Sequence, residues 1–357
     1  MTATTGVGAA VPARQGPRFA QPGPFALLCA GLLVTTAAVA VLGVAVGAVA
    51  VPPGTVLAVV GHRLGLPVAA PDAVADQIVW GSRLPRVLLA VLVGAGLAVA
   101  GAVIQAVVRN PLGDPYLIGV VPGAGLGAVS VIVAGAAAGL SLSVAAFAGA
   151  LLAFGLTFLL GRRGGHWPPA RLVLAGVAVG YLVSAVTYFL QTIATPTQVT
   201  RILFWTLGSV ASARWVDLGL PAVVVVATTA WLLLQGRRLD ALVNGTDVAA
   251  SLGLAVGRFQ LQLMVVVALL TGSLVAVSGG ILFVGLVVPH VVRLLVGAAN
   301  RRVLVGSALL GAVFLPLADL VARTVRAPVE LPIGIVTAAV GAPFFLWLMH
   351  AADRRRS

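Results

Sequence analysis

The sequence predicts an all-α protein that crosses a membrane about ten times. Three observations predict this fold class. Of the 357 residues, 60% are hydrophobic and only 9% are charged, the mean hydropathy is +1.12, and the chain divides into long apolar runs. A soluble protein needs about a quarter of its residues charged to cover its surface. A chain surrounded by lipid must instead keep charge out of the hydrocarbon.

The N-terminal part of the chain predicts a tail followed by a first membrane span. Residues 1–23 are rich in Pro, Gly and Ala and carry Arg14 and Arg18. The next apolar stretch, from about Pro24 to Val51, is longer than the roughly 7–15 apolar residues of a cleaved signal peptide. We therefore expect a cytoplasmic tail over 1–23, a transmembrane domain over 24–350 and a basic cytoplasmic tail over 351–357.

Nine further spans follow from the apolar runs, because a helix needs about 20 residues to cross a hydrocarbon core of about 30 Å. Including the first, the sequence therefore predicts about ten transmembrane helices. The nine runs begin near Val87, Val120, Leu142, Leu172, Leu218, Phe259, Ile281, Val303 and Pro332.

The arginines predict that both termini are cytoplasmic, since short cytoplasmic loops carry excess positive charge. An even number of spans leaves both termini on one side. With the termini inside, fifteen arginines lie inside and seven outside. The inside set is Arg14, Arg18, Arg109, Arg162, Arg163, Arg171, Arg237, Arg238, Arg258, Arg293, Arg301, Arg302, Arg354, Arg355 and Arg356. The outside set is Arg63, Arg83, Arg86, Arg201, Arg214, Arg323 and Arg326.

Four of the outside arginines flank the second and ninth spans, where the positive-inside rule gives no reason for them. They could anchor to lipid headgroups, or pair locally with Glu330 or Asp319. A group of outward cations would also suit an acidic partner surface. The four are Arg83, Arg86, Arg323 and Arg326.

An internal repeat relates spans two and seven. Because these spans are an odd number of crossings apart, they run in opposite directions, as in the inverted repeats of transporters. Small residues such as Gly94 and Gly101 should let helix backbones approach closely. The matching residues are Gly94, Ala98, Val99, Gly101 and Pro111 in the first copy and Gly272, Ala276, Val277, Gly279 and Pro289 in the second.

No catalytic or metal-binding pattern is visible in the sequence. The chain contains no lysine, so it cannot hold a Walker A motif, and any ATP that drives it must be hydrolysed by another subunit. The single cysteine, Cys29, suits a packing role. Asp319 is the acidic residue nearest the interior of a span, and pairing with Arg323 is its simplest explanation. The four histidines, which show no metal-ligand spacing, are His62, His166, His290 and His350.

Two blocks of sequence resemble the FecCD family of ABC-importer permeases. The first is RLPRVLLAVLVGAGLAVAGAVIQAVVRNPLGDPYLIGVVPGAGLG, from Arg83 to Gly127. The second comprises SGGILFVGLVVPHVVRLLVG and ADLVARTVRAPVELPIGIVTAAVGAPFFLWLM in the C-terminal third. The resemblance runs from about Gln77 to Met349.

The resemblance implies the type II ABC importer permease fold and a multi-pass protein of the cytoplasmic membrane. It implies a homodimer or a paralogous heterodimer, two cytoplasmic ATPase subunits that carry ATP and Mg, and an extracytoplasmic substrate-binding protein. No cofactor is expected in this chain. In such importers acidic residues of the binding protein meet permease arginines, and the matching positions here are Arg83, Arg86 and Arg323.

The connection between spans six and seven, residues 237–258, resembles the coupling loop of the family, whose short helices fit a cleft of the ATPase. Thr246 can cap a helix from Asp247 to Leu254, and Gly253 can end it. Ala249, Ala250 and Leu252 offer a small apolar face. The predicted coupling residues are Asp247, Ala249, Ala250, Ser251, Leu252, Gly253 and Leu254.

By analogy with the family, the expected cargo is a ferric siderophore, then haem, then cobalamin. Two other classes compete with this prediction. A secondary carrier or channel would share the apolar spans and the repeat, but it usually keeps carboxylates inside the membrane for its coupling ion. A membrane-embedded enzyme would need a catalytic constellation that the sequence does not show.

Overall fold

The structure is a computed structural model, and it describes residues 18–47, 49–135, 141–165 and 167–353. Within these ranges the secondary structure is helical. The helices are α1 Pro22–Ala45, α2 Pro53–Arg63, α3 Ala73–Asp76, α4 Leu84–Val108, α5 Val120–Ala134, α6 Leu142–Gly161, α7 Pro169–Thr192, α8 Pro196–Leu207, α9 Gly219–Leu234, α10 Gly236–Val243, α11 Thr246–Ser251, α12 Val256–Ser278, α13 Val284–Val296, α14 Asn300–Thr324 and α15 Ile333–Asp353. A π-helical segment, Gln77–Arg83, joins α3 to α4, and 3₁₀ turns cover Pro115–Ile118 and Trp215–Asp217.

Ten of these helices match the ten predicted spans. Seven regions are long and apolar enough to cross a membrane, and they contain α1, α4, α6, α7, α9, α12 and α14. The other three spans are shorter apolar helices, Val120–Ala134, Val284–Val296 and Ile333–Trp347. The prediction of an all-α polytopic protein is therefore confirmed. The first span ends at Ala45, earlier than expected, and the short helices α2, α3 and α8 were not predicted because they are too short to give a clear apolar run.

The second and seventh spans, α4 and α12, form the centre of the bundle. In the span that contains α4, 78% of the most apolar window is buried inside the protein. The corresponding share is 67% in α12 and 6% in α1. The two central helices pack on each other, α4 also packs on α14 from the second half of the chain, and α12 packs on α6 from the first half. This reciprocal packing matches the predicted repeat. The last matched pair differs in context, because Pro111 follows α4 whereas Pro289 lies inside α13.

The central helix α4 crosses two neighbours at glycines. A Cβ on Gly94 would overlap the carbonyl oxygen of Gly311 in α14, and a Cβ on Gly101 would overlap that of Gly285 in α13. Lipid supplies no hydrophobic drive for helix pairing, so close backbone packing must stabilise such contacts. The prediction that Gly94 and Gly101 are helix-contact residues is confirmed.

The short span α13 begins inside the bundle. A Cβ on Gly285, in its first turn, would lie 3.1 Å from the carbonyl oxygen of Leu97 near the middle of α4. With 13 residues, α13 is only about 20 Å long. In the irregular segment before it, 279–283, Gly279, Gly280 and Ile281 are buried, and Ser209 N donates to the adjacent Ser278 O at 2.8 Å. Irregular backbone at membrane depth is tolerated where protein surrounds it in this way.

The connections between spans fall on two faces of the bundle, because successive spans alternate in direction. The coupling-loop face carries residues 235–255, 109–119, 162–168 and 297–299. The opposite face carries residues 46–72, 193–218 and 325–332. The two sets of predicted functional residues lie on different faces: the coupling residues on the first and the predicted docking arginines on the second.

Candidate functional site

On the opposite face, the guanidinium group of Arg86 is the centre of a buried ion cluster. Its Nη2 is 2.7 Å from Asp319 Oδ1, its Nε is 3.0 Å from Asp319 Oδ2, and its Nη1 is 2.9 Å from Glu330 Oε1. The side chain of Asp319 is 1% exposed and that of Arg86 is 11% exposed. Such bidentate pairing satisfies both charges and ties α4 to α14.

The second arginine beside Asp319 is Arg323, one helical turn further along α14. Its Nε lies 3.5 Å from Asp319 Oδ2, at ion-pair distance, and its Nη2 donates to the carbonyl of Gly43. One buried carboxylate therefore lies between two arginines. Asp319 is held as a structural ion, as the sequence predicted from its proximity to Arg323.

Arg83 and Arg323 both donate hydrogen bonds to backbone carbonyls at or just after the C-terminal end of α1. Arg83 Nη1 donates to Val44 O at 2.8 Å and to Ala45 O at 3.1 Å, and its Nη2 donates to Val49 O. The last carbonyls of a helix have no partner within the helix and carry its negative dipole end. In apolar surroundings, a guanidinium is a suitable partner because it offers several donors and a positive charge.

The structure therefore brings the three predicted docking arginines together but turns them largely inward. Arg86 and Arg323 are buried, whereas Arg83 is half-buried. Arg326 is exposed on the same face. The alternative of local pairing, considered for Arg86 and Arg323 from the sequence, describes their contacts in this structure. Their role in docking a partner stays a prediction.

On the same face, two tryptophans join the segment before the second span to the connection before α9. The rings of Trp80 and Trp215 lie 4.6 Å apart, and Trp215 Nε1 donates to Trp80 O at 2.9 Å. Arg63 lies 5.8 Å from the Trp80 ring and pairs with Asp76, which raises the pKa of Arg63 above its usual value. The sequence does not indicate this group, because its members are far apart in the chain.

An open cavity of about 910 Å³ lies on the same face. Its wall includes hydroxyl groups from three different segments, aromatic rings of α8 and the charged side chains Arg201, Arg214 and Asp217. Arg214 Nε is 3.1 Å from Asp217 Oδ2, and this pairing raises the pKa of Arg214. The serines that line the cavity are Ser141, Ser143, Ser209, Ser212 and Ser278.

On the coupling-loop face, residues 237–258 form two short helices, α10 and α11, as the resemblance implied. The helix α11 ends at Ser251 rather than Leu254, and Gly253 follows it in a left-handed conformation with φ of +81°. Gly253 N donates to Ala250 O at 2.9 Å and Leu254 N donates to Ala249 O at 3.0 Å. These two bonds form a Schellman motif, so the prediction that Gly253 ends the helix is confirmed.

Two details predicted for α11 are wrong. Thr246 is the first helical residue and makes no cap; Gly245 occupies the N-cap position. Ala249 is fully buried, so its methyl group faces the subunit. The apolar face open to a partner consists instead of Val248, Ala250 and Leu252, with Leu252 70% exposed. Sequence spacing alone did not show which side of so short a helix packs inward.

A polar bridge that the sequence analysis missed connects α4 to α13 near the coupling-loop face. Gln105 Nε2 donates to Gly285 O at 3.3 Å and to Leu286 O at 3.2 Å. Arg293 donates to Gln105 Oε1 and, at 3.2 Å, to Ala102 O. The signal was present in the sequence, because Gln105 is the only polar side chain of the 25 residues in α4 other than Arg86. A buried amide in an apolar span needs a partner on another helix.

Comparison with known proteins identifies the family. The sequence model of the FecCD transport family matches residues 32–351. The chain belongs to the FecCD transport family. The match begins inside α1, so the likeness extends further towards the N-terminus than Gln77.

Curated FecCD relatives cover most of the chain. It is 42% identical over 281 residues to a cobalamin import system permease protein of Halobacterium salinarum, which covers 79% of this chain and 75% of the relative. It is also 42% identical over 280 residues to a hemin transport system permease protein of Yersinia pestis, covering 77% and 84%. The chain is therefore a FecCD permease subunit of an ABC importer.

Solved structures confirm the fold. A metal-chelate type ABC transporter in an inward-facing conformation superimposes with a TM-score of 0.79 and 32% identity, covering 91% of this chain and 99% of the other. PsaBC from Streptococcus pneumoniae gives a TM-score of 0.52 at 19% identity, covering 73% and 88%, and shows the fold alone. The expected type II importer permease fold is confirmed.

Proposed function

We propose that this FecCD permease carries a bulky metal chelate into the cell, and that a macrocyclic chelate, haem or cobalamin, is its cargo ahead of a ferric siderophore. The observation that carries the proposal is the 42% identity to permeases named for cobalamin and hemin. Family analogy alone would place siderophores first. Similarity to individual permeases is closer evidence than family membership.

We assign the coupling-loop face to the cytoplasm. The fifteen-to-seven distribution of arginines supports this orientation. Of the inside set, Arg14, Arg354, Arg355 and Arg356 lie outside the described residues, as do His166 and most of the predicted tails. Eleven described arginines remain inside against seven outside, so the described residues favour the same orientation.

The proposed ATPase partner docks on α11. In support, Val248 and Leu252 expose apolar side chains beside the exposed Asp247 on a surface expected to face the cytoplasm. Such exposed apolar groups outside the membrane mark protein contacts. ATP and Mg would be bound by that partner, and movement of the ATPase pair would reach the spans through α11 and α10.

A second permease subunit would complete the pathway. The seventh helix of the chain, α7, exposes a row of aromatic side chains, among them Tyr181 at 76% and Tyr188 and Phe189 at 64% each. Lipid or a second subunit must cover this face. Either a homodimer or a paralogous heterodimer would fit.

For the extracytoplasmic binding protein, we propose docking by ion-pair exchange at Arg86. Glu330 is 43% exposed and holds one side of the Arg86 guanidinium. An acidic side chain of the binding protein can displace Glu330 while Asp319 stays in place. Arg83 is half-buried, so part of its side chain is accessible to the same partner. Arg323 would then act by positioning Asp319.

Exchange at Arg86 can be tested by measuring the affinity of the binding protein for the reconstituted permease. Glu330→Gln should strengthen binding because it removes the internal competitor, and Arg83→Glu should weaken it. Arg326→Glu on the same exposed face is the charge-matched control for Arg83→Glu. If Arg326→Glu weakens binding as much as Arg83→Glu does, general surface charge explains the docking and the exchange is wrong.

The carboxylate buried inside a span gives no support to a secondary carrier. The buried carboxylate Asp319 is held between two arginines, and a coupling ion would need a carboxylate that is free to bind it. The open cavity of about 910 Å³ on the opposite face offers hydroxyl groups, arginines and aromatic rings to a chelate. We propose it as part of the entrance.

Uptake into liposomes tests the function. The permease is reconstituted with its ATPase and binding protein, and labelled haem, cobalamin and a ferric siderophore are compared. Accumulation of haem or cobalamin that requires ATP and all three components is the expected result. Accumulation of the siderophore alone would reverse the order of cargo, and uptake driven by an ion gradient without the ATPase would overturn the importer proposal.

A further inference from the structure

A cleft of about 510 Å³ on the coupling-loop face is strongly basic. It lies between α10, the turn after α11 and the start of α12, and its wall includes Arg237, Arg238 and Arg258 above an apolar floor that contains Phe259. Among the residues that line it, none is acidic. The cleft therefore gathers three positive charges with no carboxylate beside them.

Two of the three arginines in this cleft have no side-chain partner among the residues that the structure describes. Arg237 and Arg258 are exposed, and within the described ranges neither makes an ion pair or a side-chain hydrogen bond. Arg238 Nη1 is 3.0 Å from the neutral Gln235 Oε1. Asp240 of α10 is engaged elsewhere, because its Oδ1 accepts from Asn300 N at 2.9 Å and from Asn300 Nδ2 at 2.8 Å.

The start of α12 adds further attraction for an anion. Its N-cap residue, Ala255, lines the cleft and offers no side-chain cap to the first amide groups of the helix. Free amide groups and the positive end of the helix dipole favour a negative group at this position. The arginines, rather than the helix end, supply the main charge.

An apolar surface leads from the cleft into the membrane region. On α12, Leu261, Val265 and Leu269 are 39%, 41% and 37% exposed and follow Arg258 at helical spacing. On α9, which packs against α12, Val226 and Leu234 are 66% and 76% exposed, and Leu234 lies three residues before Arg237. An apolar surface that ends in a basic cleft at the cytoplasmic boundary has the two chemistries of a phospholipid.

We propose that this cleft binds the phosphate of one anionic phospholipid, whose acyl chains lie along the exposed faces of α9 and α12. The arginines are suited to the phosphodiester because each guanidinium offers several donors in one plane. The lipid would connect α10, which belongs to the coupling loop, to the central helix α12. The site would couple the anionic lipid content of the membrane to the position of the coupling loop.

Native mass spectrometry of the full-length permease tests the proposal without any partner subunit. The purified protein is incubated with phosphatidylglycerol or phosphatidylcholine, and the lipid retained after removal of detergent is counted. The intact protein should retain one phosphatidylglycerol in preference to phosphatidylcholine. Arg237→Gln/Arg258→Gln should lower the affinity for phosphatidylglycerol relative to phosphatidylcholine about 30-fold. This follows because each arginine near a lipid surface contributes roughly 1 kcal/mol.

Two further variants make the result decisive. Arg162→Gln/Arg163→Gln removes the same charge from exposed residues elsewhere on the same face and should retain the lipid. Arg237→Lys/Arg258→Lys keeps the charge and should retain most of the affinity, which also controls for folding. Equal loss in the 162/163 variant, or unchanged retention in the 237/258 glutamine variant, would overturn the proposal. Loss of ATPase binding with unchanged lipid retention would instead assign these arginines to the ATPase contact.

Discussion

The arginines of the two faces differ in their burial and in their partners, although the residue type is the same. On the opposite face, Arg86 and Arg323 are buried between helices and paired with Asp319, Glu330 and the carbonyl of Gly43. On the coupling-loop face, Arg237 and Arg258 are exposed in an open cleft. Buried arginines build the bundle, whereas exposed ones are available to lipid or partner. Changes to the buried arginines should therefore act first on stability, and changes to the exposed ones should act on binding.

The largest expected effect is loss of the carboxylate in the buried cluster. Asp319→Ala leaves two buried arginines without their shared partner, and breaking a buried pair costs about 3–5 kcal/mol. The free energy of unfolding, measured by titration with denaturing detergent in mixed micelles, should fall by that amount. Arg326→Ala, an exposed change on the same face, should stay within about 0.5 kcal/mol. Similar losses in both variants would mean that burial does not separate the two arginine classes.

The glycine crossings give the next largest effect. Gly101→Ala places a methyl group against the carbonyl of Gly285, and such overpacking typically costs about 1–3 kcal/mol. The matched control is Gly155→Ala in α6, where a Cβ meets open space and alanine gains up to about 1 kcal/mol in a helix interior. The same detergent titration measures both. Equal destabilisation of the two variants would show that the close backbone contact between α4 and α13 is not the reason for a glycine at position 101.

A smaller effect is expected at the end of α11. Gly253→Ala puts a side chain on a residue with φ of +81°, a conformation that costs an L-residue roughly 1–2 kcal/mol. The cost is local, so amide hydrogen exchange in residues 246–254 should rise while the spans stay protected. Gly54→Ala, at an open position without positive φ, should leave exchange in this segment unchanged. Unaltered exchange in the Gly253 variant would argue against the Schellman motif.

The smallest effect on stability is expected at Leu252, where the effect on binding should be the clearest. Leu252→Asp changes a side chain that is 70% exposed, so stability should stay within about 0.5 kcal/mol. Copurification of the ATPase should be lost, because a charge replaces the apolar contact. Leu66→Asp, 56% exposed on the opposite face, should leave copurification intact. Retained ATPase in the Leu252 variant would move the coupling contact away from α11.

Much of this molecule could be predicted from strong and repeated signals. The ten spans, the contact role of Gly94 and Gly101, the helix stop at Gly253 and the pairing of Asp319 with Arg323 all follow from composition, small-residue spacing or short-range geometry. Single-residue signals were weaker. Gln105 was visible as a lone amide in an apolar helix, but its partners lie about 180 positions away in the chain.

By itself, the sequence determined that the chain is a polytopic helical membrane protein, because lipid imposes length and polarity on every span. Its resemblance to the FecCD family indicated the permease role. Only the tertiary structure decided which charged side chains are paired inside the protein. From the sequence, Arg86 and Arg323 are predicted to be outward cations. In the structure, α1, α4 and α14 pack together and surround them with carbonyls and carboxylates. Likewise, Ala249 turns inward only because α11 packs against the bundle. Burial depends on contacts between distant segments, and local sequence does not contain those contacts.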